Sequence, residues 1–147
     1  MMNEIADTGS QPQRPQMLSL FLVFSMINGV LSVVSNLMVY NMIDFVRQTF
    51  EGQETIKMMG KEFDLSLFFN TDPNFFLFQG ILYIASFVGA LMMWKYKKAG
   101  FHFYTVAQIL LLIVATVYLK GMPFPLFDVL LTAMFVYIYA SNLKLMK

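Results

Sequence analysis

The sequence predicts an all-α membrane protein, namely a bundle of four transmembrane helices with one extramembrane loop between helices 1 and 2. Apolar residues make up 58% of the chain and charged residues 13%. In soluble domains roughly 45–50% of the residues are apolar and about 25% are charged. The charges are concentrated in the N-terminal tail, in residues 44–72, and at short links and the C-terminus. Four apolar runs lie between them, at about 17–43, 73–98, 101–120 and 123–142. Each is close to or above the roughly 20 residues that cross a bilayer.

Local signals indicate where these helices begin and end. Residues 1–16 are rich in Asn, Asp, Ser, Gln and Pro, so we expect a flexible cytoplasmic tail before one domain at 17–147. Asp72 followed by Pro73 predicts a helix start, because Asp accepts amide hydrogen bonds and Pro suits the first helical turn. We expect Gly100 to end the second span in a left-handed conformation and to form a tight hairpin with the third.

The segment 44–72 is the predicted outer loop. It holds six acidic residues against three basic ones, which suits the non-cytoplasmic side. Asp44 and Arg47, three residues apart, favour an extension of the first helix beyond the membrane surface. Two glycines bracket residues 53–59, which we expect to form a short helix.

The link between the second and third spans predicts the orientation. Its topology anchors are Trp94, Lys95, Lys97 and Lys98. Lysines beside membrane spans mark the cytoplasmic side. With both termini also inside, the cytoplasmic face holds six Lys and Arg residues against four outside. Trp94, Tyr96 and Tyr104 are expected to form an aromatic belt at the inner interface.

Polar residues within the spans recur at three- and four-residue steps, so those of each helix share a face. This candidate polar seam consists of Asn28, Ser32, Asn36, Gln79, Ser86, Gln108, Asp128 and Thr132. The favoured interpretation is that the seam residues face one another and bond the helices together. A second interpretation is that the seam residues line a pocket or path for a small polar solute or ion. A third is that they dock another membrane subunit.

Asp128 is the one acidic residue within an apolar run. It falls in the first turn of the fourth helix, where the helix dipole favours a carboxylate, and Lys120 is the nearest basic candidate to pair with it. A structural role is therefore favoured. A role in handling protons or cations would need an opposite charge or a second carboxylate at similar depth, and the spans supply neither.

Composition and motifs argue against several classes of function. The chain has no cysteine and a single histidine, which excludes disulfides, iron–sulfur clusters and haem held by two histidines. There is no phosphate-binding loop, nucleophile elbow, HExxH or paired carboxylate within a span. A net charge of +1 gives no sign of nucleic-acid binding. We therefore expect no enzyme activity, no cofactor and no metal.

Two stretches resemble a known group of proteins. Gly89 to Phe101 reads GALMMWKYKKAGF and Tyr139 to Lys144 reads YASNLK. These stretches are similar to a GA-x-x-MWK-x-KK-x-GF hairpin and a YA-x-NLK ending found in small, uncharacterised bacterial four-helix integral membrane proteins. The resemblance covers roughly the second half of the chain and does not include residues 44–72. It implies a multi-pass protein of the bacterial inner membrane and supplies no catalytic residue.

Two hypotheses for function follow. The first is a non-enzymatic inner-membrane protein that serves as an accessory or scaffold subunit of a larger membrane complex. The alternative is a small solute or ion carrier or channel that works as an oligomer, because four short helices enclose little volume. The expected partners are the lipid bilayer and other membrane-protein subunits or further copies of the chain.

Overall fold

The computed structural model describes residues 13–53, 55–64, 66–119 and 126–147, and most of these residues are helical. The elements are α1 (Gln16–Thr49), β1 (Thr55–Met58), β2 (Lys61–Asp64), α2 (Ser66–Asn70), α3 (Pro73–Trp94), α4 (Lys98–Tyr118), α5 (Leu126–Ser141) and a 3₁₀ turn (Leu143–Leu145). Within the described residues α1, α3 and α4 are long and apolar enough to cross a membrane.

Helix lengths separate these three elements from α5. At about 1.5 Å per residue, the 34 residues of α1 extend about 50 Å, and the 22 of α3 and 21 of α4 extend just over 30 Å. The hydrocarbon core is about 30 Å thick. The 16 described residues of α5 reach only about 24 Å. The four-span arrangement stays a prediction, since residues 120–125, at the junction of the third and fourth predicted spans, lie outside the described residues.

Two predicted boundaries are present. Asp72 precedes α3 in an extended conformation, and its carboxylate accepts a 2.9 Å hydrogen bond from the Asn74 backbone N–H, with Pro73 at the first helical position. At the other boundary α1 continues to Thr49, past Asp44 and Arg47, whose charged groups lie 3.9 Å apart. The chain thus leaves and re-enters the apolar bundle as its local chemistry predicts.

The prediction of a short helix at 53–59 is wrong, because this region forms an antiparallel β-hairpin. Strand β1 pairs with β2 from Thr55 opposite Asp64 to Met58 opposite Lys61. The turn residues Met59 and Gly60 both have positive φ, 54° and 79°. Such a two-residue turn matches the twist of paired strands, and glycine adopts it without strain. The glycine therefore makes a hairpin turn instead of ending a helix.

The expectation that Gly100 ends the second span in a left-handed conformation is also wrong. Tyr96 takes that position, with φ of 59°. Its N–H donates to the Met93 carbonyl and the Lys97 N–H donates to the Met92 carbonyl, each at 2.9 Å. These two bonds satisfy the last carbonyls of α3.

Gly100 lies inside α4 and permits a close contact with Gly89 of α3. A Cβ atom on Gly89 would lie 2.6 Å from the Tyr104 backbone nitrogen, and one on Gly100 would lie 2.5 Å from the Gly89 carbonyl oxygen. Real Cβ atoms do not approach backbone so closely. The two glycines therefore let the α3 and α4 backbones touch, as small residues do in membrane helix pairs.

Both described ends of the chain contact the turn between α3 and α4. The Lys147 N–H donates to the Tyr96 carbonyl at 2.7 Å, and the Lys98 N–H donates to the Lys147 carbonyl at 2.9 Å. The Arg14 guanidinium lies 4.1 Å from the centre of the Trp94 ring and donates to the Trp94 carbonyl. We call this end of the bundle the lysine end. Residues 1–12 of the expected tail lie outside the described residues, whereas Arg14 is docked.

Buried apolar residues form two clusters. The cluster at the lysine end contains Leu18, Leu22, Ala90, Met93, Tyr104, Tyr139 and Met146. The other, towards the β-hairpin, contains Ile43, Phe75 and Phe76, and the partly buried residues packed against it are Val39, Tyr40, Val114, Ala115, Tyr118 and Leu119. The polar seam lies along the helices between the two clusters.

Candidate functional site: a polar cavity between four helices

A cavity of about 330 Å³ lies between the two clusters, and α1, α3, α4 and α5 all contribute to its wall. Six of the eight seam residues line it, namely Asn28, Gln79, Ser86, Gln108, Asp128 and Thr132. The other two lie outside the wall. The Asn36 side chain donates to the Ser32 carbonyl at 2.8 Å, and the Ser32 side chain lies against Tyr83.

Helical spacing explains why these residues converge. On α5, Asp128, Thr132 and Phe135 follow one another at steps of four and three residues, which places them on one face. Gln79 and Ser86 are seven residues apart on α3, two turns of the same face. Helical periodicity therefore accounts for the convergence of these residues on the cavity.

One pair in the cavity wall bonds two helices together. The Gln108 side-chain amide of α4 donates to the Ser86 hydroxyl of α3 at 2.9 Å. This bond matches the favoured interpretation of the seam, in which polar groups hold helices to one another. Bonds of this kind contribute about 0.6 kcal/mol on average in membrane proteins.

Gln79 does not follow that pattern. Its residue is only 7% exposed, yet its amide forms no hydrogen bond with any described residue. The side-chain atoms that are fully buried without a partner among the described residues are Arg14 Nε and Thr105 Oγ1, so the Gln79 amide keeps some surface open to the cavity. Polar groups in such a position are usually bonded to protein or to water. Because Gln79 lines the cavity, its donor and acceptor are available to a molecule inside it.

Asp128 supplies the single charge among the described residues of the cavity wall. It lies in the first described turn of α5, as predicted, and its residue is exposed. No ion pair links it to a described residue. Its proposed partner Lys120 lies outside the described ranges.

A chain of hydroxyl groups closes the cavity towards the lysine end. The Tyr139 hydroxyl donates to the Phe21 carbonyl at 2.9 Å. Since that proton is used there, the Ser25 hydroxyl, 2.6 Å away, donates to the Tyr139 oxygen. The Ser25 oxygen is then left to accept from Tyr104 at 3.4 Å. All three hydroxyls are therefore bonded.

Tyr104 is the site residue that sequence reasoning misplaced. It was expected in an interfacial aromatic belt, but it is 4% exposed, lines the cavity and contacts the Tyr139 ring edge-on at 5.1 Å. Its position four residues before Gln108 was the available signal. The anchors Lys95, Lys97 and Lys98 are exposed, and Trp94 is partly covered by Arg14.

Within the described part of the chain, no three His, Asp or Glu side chains are placed to hold a metal ion. No protein-family model, curated protein or solved structure matches the chain. The resemblance to small bacterial four-helix membrane proteins therefore stays a prediction.

Proposed function

We propose that this chain is a non-enzymatic, multi-pass membrane protein that binds a small polar solute within the bilayer and carries it across. The Gln79 amide lies in the cavity wall without a hydrogen-bond partner among the described residues, and this observation supports the proposal most strongly. A volume of about 330 Å³ lies at the small end of the ligand sites of proteins, about 300–1,000 Å³. The solute is therefore the size of a small metabolite.

The proposal includes four crossings of a bacterial inner membrane with both termini in the cytoplasm. It is supported by the contacts of Arg14 and Lys147 with the lysine-bearing turn, since an even number of crossings brings the ends to one side. A cysteine-free chain allows direct labelling. An impermeant maleimide should label Thr55→Cys in intact cells and Ala99→Cys only after permeabilisation, and the reverse pattern would invert the topology.

Uptake into proteoliposomes tests the carrier function. The purified protein should accelerate uptake of radiolabelled glycerol, a neutral probe, or of radiolabelled ethanolamine, a cationic one, above that of empty liposomes. Replacing Gln79 with Leu fills the cavity wall with an apolar side chain and should abolish the acceleration. Because the Gln79 amide makes no hydrogen bond with a described residue, this variant should remain folded.

Gln48→Leu is the matched control, since Gln48 is exposed near the end of α1 and does not line the cavity. It should carry solute at the rate of the unmodified protein. The carrier function would be refuted if the folded protein accelerated the uptake of neither probe above that of empty liposomes.

The cavity wall comes from the four helices of one chain, so the expectation of an oligomer is tested separately by mass photometry.

The accessory-subunit hypothesis is the second candidate, and the β-hairpin favours it. Strands β1 and β2 form a two-stranded sheet, so each strand has one edge without a strand partner among the described residues. A lone hairpin is marginally stable in water, and an open strand edge can pair with another protein. The hairpin is therefore the surface on which a larger complex would assemble.

Co-purification tests this second candidate. The two-residue turn and register place Lys57 at a position whose N–H points away from β2, towards the open edge. Lys57→Pro removes that donor and should release a partner that co-purifies with the unmodified chain from mild detergent. Lys57→Ala, which keeps the N–H, is the control. Recovery of the unmodified chain alone at native expression would count against the hypothesis.

A further inference from the structure

The charge of the cavity wall restricts the solute. Among the described residues that line the cavity Asp128 is the one charged residue, and no described Lys, Arg or His accompanies it. A carboxylate in the wall of a cleft raises the local concentration of cations and lowers that of anions. An anion would meet repulsion and find no counter-charge among the described residues of this wall, whereas a cation would meet an attractive group.

Aromatic rings add a second attraction for a cation. Phe24, Tyr83, Tyr104 and Phe135 line the cavity. The Phe24 and Phe135 rings stack with centroids 6.0 Å apart at 30°, and Tyr83 lies within electrostatic range of Asp128. Faces of aromatic rings attract cations, and organic ammonium groups are bound in this way by rings placed around them.

Amide and hydroxyl groups complete the wall. Gln79 offers an unpaired donor and acceptor, and Asn28 and Thr132 also line the cavity without a hydrogen bond to a described residue. Each can accept a hydrogen bond from an ammonium N–H or form one with a hydroxyl group of the solute. A purely apolar cation would leave these groups unsatisfied, so the wall fits a cation that carries polar groups.

We propose that the cavity selects a small organic cation, such as an amine that is protonated or quaternary, and rejects anions of the same size. The positive charge lies near Asp128, and the rest of the molecule lies between the aromatic rings and the Gln79 amide. This assignment rests on the proposed function, in which the cavity receives a polar solute. A purely structural Asp128, held by the helix dipole, leaves the rings and the unpaired amide unexplained.

Single cysteines can measure this selectivity, because the chain has none of its own. Thr132→Cys places a thiol in the cavity wall one helical turn from Asp128, and Thr116→Cys places one on the exposed surface of α4. The probes are methanethiosulfonates bearing trimethylammonioethyl, hydroxyethyl or sulfonatoethyl groups. Each transfers its alkylthio group to the thiolate, which forms a mixed disulfide and releases methanesulfinate. Rates are measured in nanodiscs.

At Thr132→Cys the cationic reagent should react at least about tenfold faster than the anionic one, relative to their ratio for a free thiol in solution. Adding Asp128→Asn should reduce this preference to within about twofold, because the charge is removed and the shape is kept. Tetramethylammonium chloride should slow the reaction at Thr132→Cys, and sodium acetate should not. Thr116→Cys should show neither protection nor dependence on Asp128.

The outcomes separate this proposal from the one it rests on. If all three reagents react at Thr132→Cys without a charge preference, or if the preference survives Asp128→Asn, the cation assignment is overturned and a polar cavity remains. If no reagent reaches the thiol, the cavity is closed to polar solutes and the proposed function fails as well. Ser86→Cys, with Ser35→Cys as its exposed control, repeats the measurement should Thr132→Cys not fold.

Discussion

The lysine end and the cavity are built from the same four helices, but they differ in how many of their polar groups are bonded. On the side of the cavity nearest the lysine end, the hydroxyls of Ser25, Tyr104 and Tyr139 are linked in a chain that ends on a backbone carbonyl. In the cavity the Gln79 amide and the Asp128 carboxylate have no partner among the described residues. A polar residue in an apolar helix can therefore serve either packing or binding, and its residue type does not tell which.

The difference follows from how closely the helices approach. Gly89 and Gly100 bring the α3 and α4 backbones into contact at the lysine end, which leaves no room for a solute. Farther along α3, Gly80 faces the side chain of Leu37 instead of backbone. Helices that side chains hold apart leave more space between them than helices whose backbones touch.

The largest effect should come from breaking the close contact at the lysine end. Gly89→Ala places a Cβ against backbone atoms of α4 that cannot yield without separating the helices, so we expect a loss of about 3 kcal/mol in the free energy of unfolding. Gly80→Ala is the control, because its Cβ would meet the flexible end of the Leu37 side chain at 3.2 Å. Unfolding by SDS in mixed micelles measures both. Equal stabilities would show that the glycine contact does not hold this end.

A smaller effect should follow from removing one hydroxyl of the chain. Tyr139→Phe leaves Ser25 without its acceptor, so the free energy of unfolding should fall by about 1–2 kcal/mol. Tyr137→Phe is the control, because it makes the same change on an exposed ring of the same helix. It should alter the free energy of unfolding by less than about 0.5 kcal/mol. If both variants unfold alike, the hydroxyl chain contributes nothing to stability.

The cavity itself can be probed with one substitution at two glutamines. Gln108→Leu removes the bond to Ser86 and should lower the free energy of unfolding by about 1 kcal/mol. Gln79→Leu removes an amide that has no partner among the described residues and should leave stability unchanged or raised. The same SDS titration compares them. If Gln79→Leu lowered the free energy of unfolding as much as Gln108→Leu, the Gln79 amide would already be bonded in the folded protein.

The smallest effect should appear outside both regions. Met59→Asn places a residue that tolerates positive φ in the hairpin turn, so exchange of the hairpin amides should slow by an amount equal to about 0.5 kcal/mol. Hydrogen exchange measured by mass spectrometry would report it. The lysine end and the cavity should be unaffected; a change in their exchange rates would show that the hairpin is coupled to the bundle.

Much of the fold could be predicted because its signals are local. The apolar runs of α1, α3 and α4, and the Asp72-Pro73 start of α3, depend on residues that are neighbours in the chain. The errors arose at glycines. Gly60 forms a hairpin turn and Gly100 a contact between helices, and glycine permits a turn, a helix end and a close approach equally well.

The candidate site was predicted in part. Six of eight seam residues line the cavity because helical periodicity fixes which residues share a face. Tyr104 was missed as a wall residue, because its place near the lysines favoured an interfacial role over the burial that the close approach of α3 and α4 imposes.

The sequence by itself determined the helical class, the apolar length of the three long helices, the polar face of each helix and the chemistry of the α3 start. Tertiary structure alone decided which polar groups are bonded and which face an open cavity. The physical reason is that a hydrogen bond depends on distances of a few tenths of an ångström. Ser25 and Tyr139 are separated by 114 positions in the chain. The distance between their hydroxyls is therefore set by how α1 and α5 pack in the folded bundle.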